Sequence, residues 1–151
     1  MMQLDPDFSE FIACCVAREV KFLIVGGYAV AAHGYPRYTK DLDVWVLADL
    51  SNADRLLRAL DDFGFGSLGL TANDFTGPGS IVQLGMPPKR IDILTSVSGI
   101  EFKETYEQRI PVRIVGVDTP VPFIDLASLR RNKAASGRAQ DLADLEILPE
   151  A

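Results

Sequence analysis

The sequence predicts an α/β (α+β) fold, a mixed β-sheet flanked by helices, with further helices at the C-terminal end. Three observations carry that reading. Short apolar, β-rich runs recur at 21–25, 41–47, 81–84, 90–94 and 112–117. Between them lie segments whose apolar residues return at helical spacing. The two kinds do not alternate strictly, so a mixed sheet fits better than a doubly wound parallel one. With 151 residues, 48% of them apolar, the chain is expected to form one domain over 1–151 with a substantial core.

Each element has a local cause. Asp5-Pro6 is a helix start, a capping acceptor followed by proline at the first helical position. Phe8, Phe11, Ile12, Cys15 and Val16 then form one buried stripe. Lys21–Val25 reads as a buried strand ended by a tight turn at Gly26-Gly27. Tyr28–His33 is a short helix closed by Gly34 with Pro36 beyond it. Asp41–Leu47 is a strand, polar at its start and apolar after. Ser51 is the expected cap of an amphipathic helix through Leu56, Leu57, Leu60 and Phe63, ended by Gly64. The five glycines between Gly64 and Gly79 predict a loop with a helical turn near Ala72–Phe75. Ile81–Leu84 and Arg90–Leu94 read as a hairpin about Gly85–Lys89. Gly99–Tyr106 is predicted helical and Val112–Val117 extended, and Pro120 with Pro122 is expected at a sheet edge. Asp125 caps a helix over Leu126–Ser136, and Gly137 separates it from a last helix over Ala139–Leu148.

Composition excludes several functions. The formal net charge of −6 argues against a broad basic face for duplex DNA. No run approaches the roughly 20 apolar residues of a membrane span, and the start MMQLDPDFSE lacks a secretory pattern. Cys14 and Cys15 are adjacent and suit packing better than a disulfide with each other. The expected setting is the reducing cytoplasm, with no membrane partner.

Three carboxylates stand apart from the remaining surface charge. Asp41 and Asp43, two apart at a strand start, point to one face, and Leu42, Val44 and Val46 take the other. Asp92 lies between Ile91 and Ile93, an unfavourable place for aspartate on propensity alone. If the two strands are neighbours, the three acids converge, an arrangement suited to hard cations and two-metal phosphoryl chemistry. The plainer alternative is two solvated residues at a strand entrance and one edge-strand aspartate. Gly26-Gly27, after a buried strand and before a helix, is either a phosphate cradle or merely a turn. The late basic cluster Arg130, Arg131, Lys133 and Arg138 is either a triphosphate counter-charge or a solvated helix face. His33, the single histidine, suits a helix end, and Trp45 suits the core, although it shares the strand face of the acidic pair. Tyr28, Tyr35 and Tyr38 are candidates for a base-stacking platform at a pocket mouth.

The glycine pair, thirteen residues, Asp41-Leu42-Asp43 and a later Asp92 resemble the signature of the DNA polymerase β-like nucleotidyltransferase superfamily. The longer string Val25-Gly-Gly-Tyr-Ala-Val-Ala-Ala-His-Gly-Tyr-Pro-Arg-Tyr-Thr-Lys-Asp-Leu-Asp43 resembles the AbiEii-type nucleotidyltransferases and their small bacterial relatives. That group includes the toxin half of certain toxin–antitoxin pairs. The stretch from Asp125 through Lys133 to Asp144 resembles it too, so the likeness spans about 20–147. It implies a minimal nucleotidyltransferase fold that moves an NMP group from an NTP to a hydroxyl or phosphate acceptor on RNA, protein or a small molecule. Two Mg²⁺ ions, or Mn²⁺ in their place, would be held by Asp41, Asp43 and Asp92, with Asp92 also orienting or deprotonating the attacking hydroxyl. Gly26, Gly27, Arg37, Thr39 and Lys133 would contact the nucleotide, and a cognate antitoxin would be the partner. AbiEii-type toxins are usually longer, and their second glycine position is often serine, whereas Gly27 offers no hydroxyl. The alternative function is a catalytically silent nucleotide-binding or protein-interaction module that works as a subunit with a partner chain.

Overall fold

The computed structural model describes residues 1–36, 38–86 and 88–151. Its centre is a six-stranded mixed sheet in the order β3-β4-β2-β1-β6-β5. The strands are β1 (Phe22–Val25), β2 (Leu42–Val46), β3 (Ile81–Leu84), β4 (Ile91–Leu94), β5 (Ile110–Val112) and β6 (Val121–Phe123). Pairs β2–β4 and β1–β6 are parallel, and the other three are antiparallel. The mixed sheet and the 81–94 hairpin are as the sequence predicts.

Helices α1 (Pro6–Ala17) and α3 (Leu50–Phe63) pack on each other against the sheet, with Phe11 and Phe63 edge to face at 5.4 Å. The stripe expected of α1 is buried at Phe8, Phe11, Ile12 and Cys15. On β2, Leu42, Val44 and Val46 are all within 1% of full burial, so the apolar residues of this alternating strand meet the core. Trp45, on the opposite parity, is also buried, its ring edge-on to Phe102 of α4 (Phe102–Glu107) at 5.1 Å. Asn52 ties strand ends together from α3: its amide nitrogen donates to the Lys21 and Leu47 carbonyls, and its oxygen accepts the Lys21 amide. Helices α5 (Leu126–Ser136) and α6 (Ala139–Ile147) flank Gly137, whose φ of +66° lets the chain turn.

Several boundaries differ from expectation. Helix α2 (Gly26–Ala32) takes up the glycine pair as its first turn, so no separate tight turn precedes it. The cap of α3 is Asp49, which accepts the Asn52 amide at 2.7 Å, while the Ser51 hydroxyl accepts from Arg55. Gly99 has φ +80°, a left-handed conformation that delays α4 to Phe102. The strand expected at 112–117 lies at Ile110–Val112. Beyond it Ile114 bridges Met2, and the chain turns at Gly116 with φ +90°. The Pro120–Pro122 segment is not an edge: β6 lies between β1 and β5. Pro111 and Pro122 face each other in the β5–β6 ladder. Neither has an N–H to give, so they share a non-hydrogen-bonded position where the pair loses no ladder bond. Pro87, in the expected 85–89 turn, lies outside the described residues.

Candidate active site

The parallel pairing of β2 and β4 sets Asp43 directly beside Asp92. Asp41 precedes β2 by one residue and shares the parity of Asp43. The three acids therefore meet at one end of the two central strands, as the sequence reading requires. They line a cleft of about 400 Å³ together with Gly27, Thr39, Arg90 and Arg138. Three larger hollows, about 580 Å³ beside Tyr106 and Pro122, about 530 Å³ beside Trp45 and about 430 Å³ beside Glu104 and Arg131, bring no carboxylates together from two strands.

Gly26 explains itself in this setting. Its φ is +68°, and a Cβ there would stand 2.1 Å from Asp43 Oδ2. The first glycine of the pair thus gives room to the carboxylate as well as turning strand into helix. Gly27 is buried and lines the cleft. Thr39 lines it too, and its carbonyl accepts the Tyr28 hydroxyl at 3.3 Å. Of the three tyrosines, the exposed Tyr38 lines the cleft. Arg37 lies outside the described residues. His33 caps α2, with Nε2 2.9 Å from the Ile124 carbonyl, which is a helix-end role.

Burial pushes the Asp43 carboxyl up to about 6, and the charges of Asp92 and Asp41 add to the shift. Lys133 and Arg138 oppose it. Lys40, Arg90 and Arg138 also line the cleft, so it is the burial of Asp43 beside two other carboxylates, rather than a shortage of cations, that raises it.

Two basic residues behave in ways the sequence reading did not foresee. Lys133 does not line the cleft. Its ammonium is buried against α6, 3.0 Å from Asp141 and 2.9 Å from Asp144. Burial pushes the Asp141 carboxyl up, but hydrogen bonds from Arg138, Ser136 and Lys133 win and hold it at about 2. Arg138 is the late cation that reaches the cleft rim. Arg90 is the residue that sequence reasoning missed. Its Nε and Nη2 donate to both oxygens of Asp92 at 2.6 and 3.0 Å, and Nη2 lies 3.2 Å from Asp41 Oδ2. Its backbone N–H also donates to Asp41 Oδ1 at 3.1 Å. The available signal was parity: Arg90 is two residues before Asp92 and shares its strand face.

Hard carboxylate oxygens on two adjacent strands are the donor chemistry Mg²⁺ takes, and the unrelieved charge at Asp43 favours a cation. In kind, the residues fit. As placed, no three acidic, histidine or cysteine side chains among the described residues form a group ready to hold an ion, and Arg90 engages two of the three acids.

The architecture, a mixed six-stranded sheet with flanking helices, is consistent with a minimal nucleotidyltransferase fold. Among solved structures the chain is similar to a presumed nucleotidyltransferase from Thermotoga maritima. The TM-score is 0.58 and the identity 14%, over 95% of this chain and 92% of that one. It is also similar, at a TM-score of 0.45 and 18% identity, to an antigenic nucleotidyltransferase-like protein from Paracoccidioides brasiliensis, over 95% and 76% of the two chains. At 14% identity the first likeness is one of fold. No family model and no curated protein matches the chain.

Proposed function

We propose that the chain is a Mg²⁺-dependent nucleotidyltransferase that moves an NMP group from an NTP to a hydroxyl or phosphate acceptor. The observation that carries this reading is the register pairing of Asp43 with Asp92, with Asp41 on the same side. The likeness of fold supports it. Asp41, Asp43 and Asp92 would hold the metal, which neutralises the triphosphate and stabilises the leaving pyrophosphate when bound. Asp92 is the carboxylate to orient the attacking hydroxyl and accept its proton. In the transfer, a bond forms between the acceptor oxygen and the α-phosphorus, and the bond to pyrophosphate breaks. Gly27 brings its backbone to the cleft, and Arg138 supplies positive charge at the rim.

Calorimetry with each NTP and Mg²⁺ is the direct test. Metal-dependent binding that is lost in the Asp41→Ala/Asp43→Ala double variant is expected. Absence of such binding, or binding unchanged in the variant, sinks the proposal.

One observation favours a second reading, a nucleotide-binding module without catalysis that works with a partner chain: Arg90 already holds two of the three acids. Labelled NTPs in a cell extract separate the two. Label transferred to RNA, protein or a small molecule, and lost in Asp92→Ala, marks the enzyme, whereas binding without transfer marks the module. A toxin role belongs to the same proposal. Expression of the wild type, but not of Asp43→Ala, should then arrest bacterial growth, with relief by a cognate antitoxin.

A further inference from the structure

Arg90 is placed unlike an ordinary surface arginine. Its guanidinium grips Asp92 with two donors in the fork geometry that suits a carboxylate. One of those nitrogens also reaches Asp41. Its side chain is about a quarter exposed, and that of Asp92 only 12%, so this pair is screened less than a surface ion pair. The oxygens it engages belong to two of the three carboxylates that would bind a metal. Asp43, the third, accepts no hydrogen bond from it among those described.

We propose that Arg90 is the resident counter-ion of the acidic cleft, and that a divalent cation gains Asp41 and Asp92 only by displacing its guanidinium. This rests on the reading of the cleft as a metal-dependent nucleotidyltransferase site and adds its regulation: metal occupancy is set by competition with a side chain of the same strand. The physical reason is charge. A guanidinium and a divalent ion crowded onto the same two carboxylates repel each other, and the repulsion among the three acids is relieved by whichever cation is present. Arg90 is a positioning residue in this account, because it holds the acids rather than acting on substrate.

The test is calorimetric titration of Mn²⁺ alone, without nucleotide, into wild type, Arg90→Gln and Arg90→Lys, each checked for fold by circular dichroism. Arg90→Gln is expected to bind about tenfold more tightly than wild type. Methylguanidinium at millimolar concentration should weaken Mn²⁺ binding to Arg90→Gln and leave wild type unchanged, a rescue that a purely structural role would not produce. If Arg90→Gln does not fold, Arg90→Lys keeps the charge but loses the fork, and is expected to bind about two- to threefold more tightly. Equal or weaker binding in folded Arg90 variants than in a wild type that binds overturns the Arg90 proposal and leaves the nucleotidyltransferase reading standing. No Mn²⁺ binding by wild type or by either variant overturns the Arg90 proposal, and the nucleotidyltransferase reading falls with it only if NTP with Mg²⁺ also fails to bind.

Discussion

Asp43 is a half-buried aspartate with two other carboxylates beside it. Its carboxyl is pushed up to about 6, whereas in the unfolded chain it would return to the ordinary value near 3.8. A folded-state value above the unfolded one means that the folded chain binds the proton more tightly. The associated stability is full below about pH 4 and is lost as pH rises through about 6, and a gap of this size is worth about 2–3 kcal/mol. Urea unfolding of the metal-free protein at pH 5 and pH 7.5 should show about half of this loss, about 1–1.5 kcal/mol, and Asp43→Asn should reduce it. An unchanged pH slope in the variant would refute the assignment. Gly26→Ala tests the neighbour: a left-handed alanine costs about 1–2 kcal/mol, and its methyl group must also push the Asp43 carboxylate aside. Thermal unfolding should fall by at least the backbone cost. The acidic triad was legible at this scale because aspartate within β-branched runs breaks the usual pattern. Arg90 was not, because an arginine at a strand start is unremarkable until its partners across the sheet are known.

At the scale of elements, the α5–α6 corner shows how a sequence cue can be right in place and incomplete in meaning. The resemblance implies a phosphate contact for Lys133, yet α6 folds back and covers its ammonium with Asp141 and Asp144. Those two acids, three apart on α6, read in sequence as solvated helix charges. Only tertiary packing, on the far side of the turn at Gly137, makes them the walls of a buried ion cluster. Removing the cation should strand two buried carboxylates, so Lys133→Ala is expected to cost about 3–5 kcal/mol in urea unfolding. Lys133→Ala with Asp141→Asn and Asp144→Asn should recover a large part of that loss. A cost below about 1 kcal/mol for the single variant would show that the cluster is not a structural tie. Strand assignment failed for a related reason. Pro120 and Pro122 point to an edge by local chemistry, but Pro122 is placed inside the sheet opposite Pro111, in a pair where neither residue would donate to the other.

For the molecule as a whole, charge and sheet order are the informative properties. The net charge of −6 predicts no shift of duplex DNA in a gel at micromolar protein and near-physiological salt; retention there would contradict the composition argument. No helix among the described residues is long and apolar enough to cross a membrane. The mixed sheet was readable from the spacing of its runs, but the order β3-β4-β2-β1-β6-β5 was not. It depends on which distant strands pair, and the contact between Arg90 and Asp41 alone joins residues 49 apart. That order gives the sheet two unlike margins. At one, β5 is three residues long and has a proline at its centre; since Pro111 sits in a non-hydrogen-bonded pair, the donor it lacks is the one that would have faced outward. At the other, β3 pairs with no second strand among the described residues and leaves Ile81 62% exposed. Growth of the sheet by addition of strands therefore has one open side and one blunted side. A strand arriving at β3 would meet an open ladder, whereas one arriving at β5 would meet the proline at its centre.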